Sequence, residues 1–268
     1  MSNGAYVHGY STIESQRLAD QANTLNRLLH HDSVFQPAGS VLEAGCGIGA
    51  QTVIVAPQNQ QCSFTSIDIS PESLAQAEKN ANDRQIDNVE FQQADVFDLP
   101  FDNESFDHVF ICFLLEHLQN PEAALSSLKR VLKTDGTLTV IEGDHGSAYY
   151  HPRSDAAQAT IQCLIDSQAA LGGDSLIGRR LYPLLATAGF KDISVSPRVV
   201  YADAGRPEMV DGFTRKTFIA MVEGVREQAI GSGLITKAEW DKGIAELYRS
   251  ADDDGTFNYT FFKAFARK

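Results

Sequence analysis

Three glycines, Gly45, Gly47 and Gly49, follow a short apolar run in VLEAGCGIGAQT, and a helix-forming stretch comes next. Glycine accepts positive φ and lets a ligand approach the main chain closely, so this junction suits a bound small molecule. The spacing is GxGxG, whereas the dinucleotide fingerprint needs GxGxxG with helix amides aimed at a pyrophosphate. A nicotinamide cofactor is therefore disfavoured. Asp68 stands 23 residues after Gly45, at the end of the next strand-like run, where an acid of this architecture binds ribose hydroxyls. Asp95, in QADVFDLPF, ends a third run and is placed to accept from an adenine amino group; a turn acid or helix N-cap would use the same position. Three strand ends sharing one nucleoside is the expectation.

Proton-transfer candidates come later in the chain. His117 lies in LLEHL, and IEGDHGSAYYHP carries Glu142, Asp144, His145 and His151. His145 is the expected base or substrate-orienting residue, with His117 second; a loop histidine bonded to backbone is the ordinary alternative. The mixture of carboxylates and imidazoles is of a kind that binds divalent cations, yet no metal is expected. Near the N-terminus, Tyr10 and Arg17 are expected to close over the ligand, Arg17 pairing a carboxylate bidentately; a solvated arginine is the alternative. Tyr149, Tyr150, Arg179 and Tyr182 are further pocket candidates. Cys46, Cys62, Cys112 and Cys163 form no CxxC pair, so reduced thiols are expected.

The elements that must position these residues alternate in period. Ile13 to Leu29 has helical spacing, Ser40 to Gly45 reads as a buried strand, and Ser63 to Asp68, Val89 to Asp95, Phe106 to Phe113 and Thr137 to Gly143 read as further strands. Helices over Pro71–Ile86 and Pro121–Lys133 separate some of them, with Pro71 where a first turn tolerates proline. Beyond Gly146 come helical stretches at 154–171 and 178–188, a strand at 192–203 that Pro197 assigns to an edge or a bulge, a helical region at 207–249 and an aromatic strand at 256–267. Strands alternating with helices imply an α/β fold with a mostly parallel sheet. The expected domains are an N-terminal helical segment (1–36) closing over the cofactor, a core (37–203 and 255–268), and a helical cap or lid (204–254) inserted between the last two strands.

The chain has 268 residues, 43% hydrophobic and 21% charged, enough for a sizeable core. With 35 acids against 22 bases its formal charge is -13, which repels polyanions and argues against nucleic-acid partners. No 18-residue apolar run and no signal-peptide pattern occur in it, so a cytoplasmic protein with no membrane contact is expected.

VLEAGCGIGAQT, SIDIS (66–70), QADVFDLPFDNESFDHVF and VLKTDGTLTVIE, in this order, resemble the class I S-adenosylmethionine-dependent methyltransferases, in particular the small-molecule enzymes with a ubiquinone-biosynthesis-like domain. The resemblance runs over about residues 38–145. It implies a Rossmann-like seven-stranded sheet with helices on both faces and the last strand antiparallel. It also implies S-adenosylmethionine as methyl donor, S-adenosylhomocysteine as product, and a small-molecule O, N, S or C nucleophile as acceptor, in a monomer or homodimer. Carried over by position, Glu43 is the acid bonding near the loop. Ala44, Gly45 and Gly47 form the floor beneath the methionine part, and Gln51 faces the same pocket. Asp68 takes the ribose hydroxyls, Ile69 lies against the adenine, and Asp95 with the Val96 amide reads its edge. Cys112 and Phe113 border the methionine part and the transferable methyl. The Asn/Asp-Pro-Pro-Tyr/Phe motif of enzymes that methylate exocyclic or amide nitrogens is replaced by ICFLLEHL, which counts against DNA-adenine or protein-glutamine acceptors. Alternatives are a macromolecular acceptor or a non-catalytic cofactor-binding module.

Overall fold

The computed structural model describes residues 12–268; Tyr10 lies outside them. The elements are α1 (Thr12–His30), β1 (Ser40–Ala44), α2 (Thr52–Gln58), β2 (Ser63–Asp68), α3 (Pro71–Asp83), β3 (Val89–Gln93), β4 (Phe106–Cys112), α4 (Pro121–Val131), β5 (Leu132–His151), α5 (Asp155–Ala170), α6 (Leu181–Thr187) and β6 (Lys191–Ala202). Then α7 (Pro207–Met209) runs through a π-helical stretch, Val210–Ile219, into α8 (Ala220–Gly224), followed by α9 (Arg226–Gly231), α10 (Lys237–Tyr248) and β7 (Thr256–Arg267).

The seven strands lie in the order β3-β2-β1-β4-β5-β7-β6. The first five pair in parallel, and the last strands are antiparallel, as expected. Val41 of β1 faces Phe64 of β2 on one side and His108 of β4 on the other. The order therefore reverses at β1, and the carboxyl ends of β1 and β4 flank the crevice where open α/β sheets bind ligands. Pro197 lies on β6, the edge strand, the place in a sheet where proline is tolerated.

Two compact units divide the chain, with boundaries inside β5, β6 and β7. One comprises Leu29–Glu142, Ile177–Pro197 and Phe262–Lys268. Its core is built on Leu42, Val109, Ile111 and Val140 from the sheet, with Leu125 and Leu128 of α4 and Leu181, Leu184 and Leu185 of α6. Ser70 and Asn120 cap α3 and α4 by accepting from Ser73 N and Ala123 N, each with proline in the first turn. The other unit comprises residues up to Leu28, Gly143–Leu176 and Arg198–Phe261. There α10, started by a Thr236/Glu239 capping box, packs on α5 through Gly243, where a Cβ would lie 2.5 Å from the Ala156 carbonyl oxygen. The expected cap, 204–254, falls within this unit together with α5.

β5 departs most from the sequence pattern. The Thr134–Gly136 turn is taken up inside it as an irregularity: Phe106 faces Leu132 and His108 faces Thr137, so five residues of β5 advance against two of β4. Asp135 takes a left-handed φ of 63° there. The strand also continues past Gly143 to His151, through a stretch without the apolar alternation that announces a strand.

A buried polar chain in the first unit links β7 to the start of α2. Lys263 Nζ donates to the Leu29 carbonyl, Asp32 Oδ1 and Ser33 Oγ at 3.0, 2.7 and 2.8 Å. Ser33 Oγ lies 3.2 Å from His30 Nδ1, and His30 Nε2 lies 2.8 Å from Gln51 Oε1. Burial, with an added push from Lys263, moves His30 down to about 4, so the ring is neutral. Gln51 Oε1 can only accept; hence Nε2 carries the proton and Nδ1 accepts from the Ser33 hydroxyl. Because the folded protein binds fewer protons at His30 than the unfolded chain between pH 6.5 and about 4, stability falls as pH drops through that window. We expect wild type to lose about 2 kcal/mol more than His30→Gln between pH 7 and 5. Urea unfolding of both proteins at each pH measures this, and the difference cancels other titrating groups.

Candidate functional site

The loop after β1 turns back on itself through three positive-φ glycines, Gly45 (72°), Gly47 (52°) and Gly49 (75°). The amides of Gly45 and Cys46 both donate to the Ile67 carbonyl, at 2.8 and 2.9 Å, which ties the exit of β1 to the end of β2. One residue further, the Gly47 amide donates to Asp68 Oδ2 at 2.8 Å, while Asp68 Oδ1 accepts from Ser70 N at 2.9 Å. The glycines are required for different reasons. A Cβ on Gly45 would lie 2.7 Å from Leu114 Cδ1, and one on Gly49 3.0 Å from Ala77 Cβ, but one on Gly47 would meet nothing within 4 Å. Gly45 and Gly49 are closed by packing, and Gly47 opens onto space beside Asp68. A cradle of bare backbone next to a carboxylate fits a ribose-bearing cofactor.

Glu43 lies beneath this loop. Its Oε2 accepts from Thr52 Oγ1 at 2.7 Å and Ser66 Oγ at 2.6 Å, joining α2, β1 and β2. Burial raises its carboxyl above the ordinary range despite these two bonds. Ala44 is buried beside it. Gln51, its carbonyl end taken by His30, has its amide nitrogen left to offer as a donor.

At the ends of β2 and β3, Ile69 and Phe97 are 52% and 46% exposed, unusual for large apolar side chains beside a polar loop. Asp95 Oδ1 accepts from the Phe97 amide at 2.9 Å, and its carbonyl accepts from Asp98 N at 3.0 Å; this is the turn-acid geometry. Val96 is buried between them in sequence. Phe97 is a candidate that periodicity does not reveal. The only signal in the sequence is an aromatic placed two residues after an acid in ADVF.

Cys112 ends β4, buried, and burial with the nearby acids Glu142 and Glu43 holds its thiol well above the usual range, so it stays protonated. Phe113 follows with φ of 59°. His117 closes the short 3-10 turn Leu115–His117, its Nε2 3.6 Å from Glu116 Oε1.

Arg17 and His145 belong to the other unit. Arg17 makes the bidentate pairing expected of it, but to Glu14 within α1, at 2.8 and 2.6 Å, with Gln21 Oε1 at 2.8 Å. His145 is buried, its Nδ1 2.8 Å from Tyr259 Oη and its ring edge-on to Phe218. Gly143 makes room for this pair, since a Cβ there would collide with Tyr259 Oη. Among the described residues no group of three or more His, Cys, Asp and Glu side chains is arranged to hold a metal ion. Glu142 bonds the amides of Leu114 and Leu115, and Asp144 Oδ1 accepts from Gly146 N.

Gly45 and Gly47 should respond differently to a methyl group. Gly45→Ala, which combines left-handed backbone with the Leu114 clash, should cost about 2–4 kcal/mol. Gly47→Ala, strained in φ but facing open space, should cost about 1 kcal/mol. Urea denaturation of the two variants checks this order.

Residues 42–140 match the family model described as a methyltransferase domain. The chain is 30% identical over 150 residues to an (S)-coclaurine N-methyltransferase of Papaver somniferum, covering 56% of this chain and 42% of the relative. It is 35% identical over 112 residues to a demethylmenaquinone methyltransferase of Tropheryma whipplei, covering 42% and 45%. These matches thus span less than half the length of either relative. Among solved structures, the [4+2]-cyclase SpnF is similar in fold, with a TM-score of 0.55 and 20% identity over 93% of this chain and 80% of that one. No helix among the described residues is long and apolar enough to cross a membrane. The similarity to a methyltransferase domain is thus carried by residues 42–140, which hold the glycine loop, Asp68 and the strand ends of the crevice described above.

Proposed function

We propose that the protein is an S-adenosylmethionine-dependent methyltransferase acting on a small-molecule nucleophile. The observation that carries the reading is the open space over Gly47 beside Asp68. Asp68 accepts from the ribose hydroxyls. Ile69 and Phe97 cover the two sides of the adenine, and Asp95 with the Val96 amide reads its edge. Gln51 donates toward the methionine part, bordered also by Ala44, Gly45, Cys112 and Phe113. When bound, the cofactor supplies a methyl group on an already activated sulfonium leaving group, so the chain's task is alignment of the acceptor and exclusion of water. His145 serves as base or orienting residue for a protonated acceptor, a role worth about 100- to 10,000-fold in general. Its contact with Tyr259 fixes ring orientation. His117 is the second candidate, and Arg17 with Tyr10 the closing pair over the cofactor. A small acceptor is supported by the -13 charge, by the absence of the Asn/Asp-Pro-Pro-Tyr/Phe motif, and by relatives named for coclaurine and demethylmenaquinone.

Deuteromethyl S-adenosylmethionine incubated with the protein and a size-fractionated cell extract tests the acceptor by mass spectrometry. Label in a small metabolite is expected. Label confined to macromolecules overturns the acceptor class, and none at all, with S-adenosylhomocysteine bound, leaves a cofactor-binding module or another reaction on the same fold.

Asp68→Ala should weaken S-adenosylhomocysteine binding by about 1–3 kcal/mol in calorimetric titration. Asp68→Asn, which keeps an oxygen for the Gly47 amide, should retain more of the stability than of the affinity. Unchanged affinity in both removes Asp68 from the site. Once the acceptor is known, His145→Ala should lower turnover by about 100-fold or more with cofactor affinity little altered; equal turnover excludes it as base.

A further inference from the structure

Glu142 is a fully buried acid that the reading above does not use. It follows Ile141, the last residue of β5 paired with β4 through Cys112. Its Oε1 accepts from the amides of Leu115 and Leu114 at 2.7 and 3.1 Å. Its Oε2 has no hydrogen-bond partner among the described residues. Burial, then the neighbouring Glu116 carboxyl, pushes Glu142 well above the ordinary carboxylate range, and a single oxygen receives both amides. A buried carboxyl with an unpaired oxygen is an unfavourable way to fill a core. Its location shows what it holds in return.

The two amides open the turn that follows β4. Phe113, just ahead, has a φ of 59°, a conformation that costs energy for an aromatic residue. The chain is pinned on both sides of it. The Phe113 amide donates to the Ile141 carbonyl at 2.9 Å, and the next two amides go to Glu142. Leu114, so fixed, lays its side chain over Gly45, filling the place of the missing Cβ. Carboxyl, turn, leucine and glycine loop are thus in series.

We propose that Glu142 is a positioning residue of the cofactor site: its carboxyl sets the turn 113–117 at a fixed distance from the glycine loop, and so fixes the slot that receives the methionine end of S-adenosylmethionine. The cofactor half of this statement rests on the function proposed above; the mechanical half stands on the contacts alone.

Glu142→Leu keeps volume and removes the acceptor, Glu142→Gln keeps a carbonyl oxygen, and Leu114→Ala removes the contact with Gly45 while leaving the carboxyl. Hydrogen exchange over residues 113–118 of the cofactor-free protein and calorimetric titration with S-adenosylhomocysteine are measured on each. Glu142→Leu should exchange faster at 114 and 115 and bind about tenfold more weakly, the scale of one net hydrogen bond. Leu114→Ala should weaken binding to a similar extent, and Glu142→Gln should stay within about threefold of wild type in both readouts. Slow exchange at 114 and 115 in Glu142→Leu overturns the proposal, as does faster exchange with wild-type affinity or failure of Gln to rescue. If Glu142→Leu does not fold, wild-type affinity in Leu114→Ala overturns it instead. A wild-type protein that binds no S-adenosylhomocysteine refutes the functional reading itself, and the slot with it, a result recognised without any variant.

Discussion

The bond from the Gly47 amide to Asp68 at 2.8 Å is the contact on which the crevice depends. A loop that leaves a buried strand through three left-handed residues has no ladder of its own to hold it. Here its first amides borrow the Ile67 carbonyl, and its middle amide takes a carboxylate from the neighbouring strand. The loop therefore cannot lift from β2 without exposing an acid and orphaning an amide together. Gly47 is kept low and bare at the point where β1 meets the reversal of strand order.

Acids of one chemical type are divided by burial into two kinds of work. Asp68 and Asp95 stand at strand ends and use part of their oxygens on local amides. Glu43 and Glu142 are sealed in, and burial raises both. A buried carboxyl is a directional hydrogen-bond acceptor, which ties α2 to β2 in one case and a strained turn to β5 in the other. Charged, either would repel the other acids nearby. Bonded inward, both act as braces beneath the crevice.

Much of this was legible in the residue order. Local chemistry dictates the strand and helix alternation, the proline starts of α3 and α4, and the edge position of β6, and each is written in a few adjacent residues. The glycine loop was legible for the same reason. The extension of β5 to His151 was not, because DHGSAYYH is paired as strand without the alternation that marks one. Nor was the division of the glycines, since what closes Gly45 is Leu114, and what leaves Gly47 open is the lack of any neighbour; both are tertiary facts with no trace in the GxGxG spacing.

The less legible parts share a physical feature: a polar group whose partner is far off in sequence. Tyr259 reaches His145 across 114 residues and Lys263 reaches Ser33 across 230, and nothing in the local pattern of an aromatic strand announces either. Arg17 shows the converse. Glu14, one helical turn away, meets its guanidinium with bidentate geometry, a pairing that closes no long loop. Where a short-range partner exists the chain uses it, and where none exists a buried polar group must be met from a distant segment, because leaving it unmet costs more than the loop closure that brings the segment in. Candidate residues read from sequence should thus be weighed first against partners three or four positions away. Those with none, such as Glu43 and Glu142, are the ones whose long-range bonds hold the glycine loop and the turn after β4.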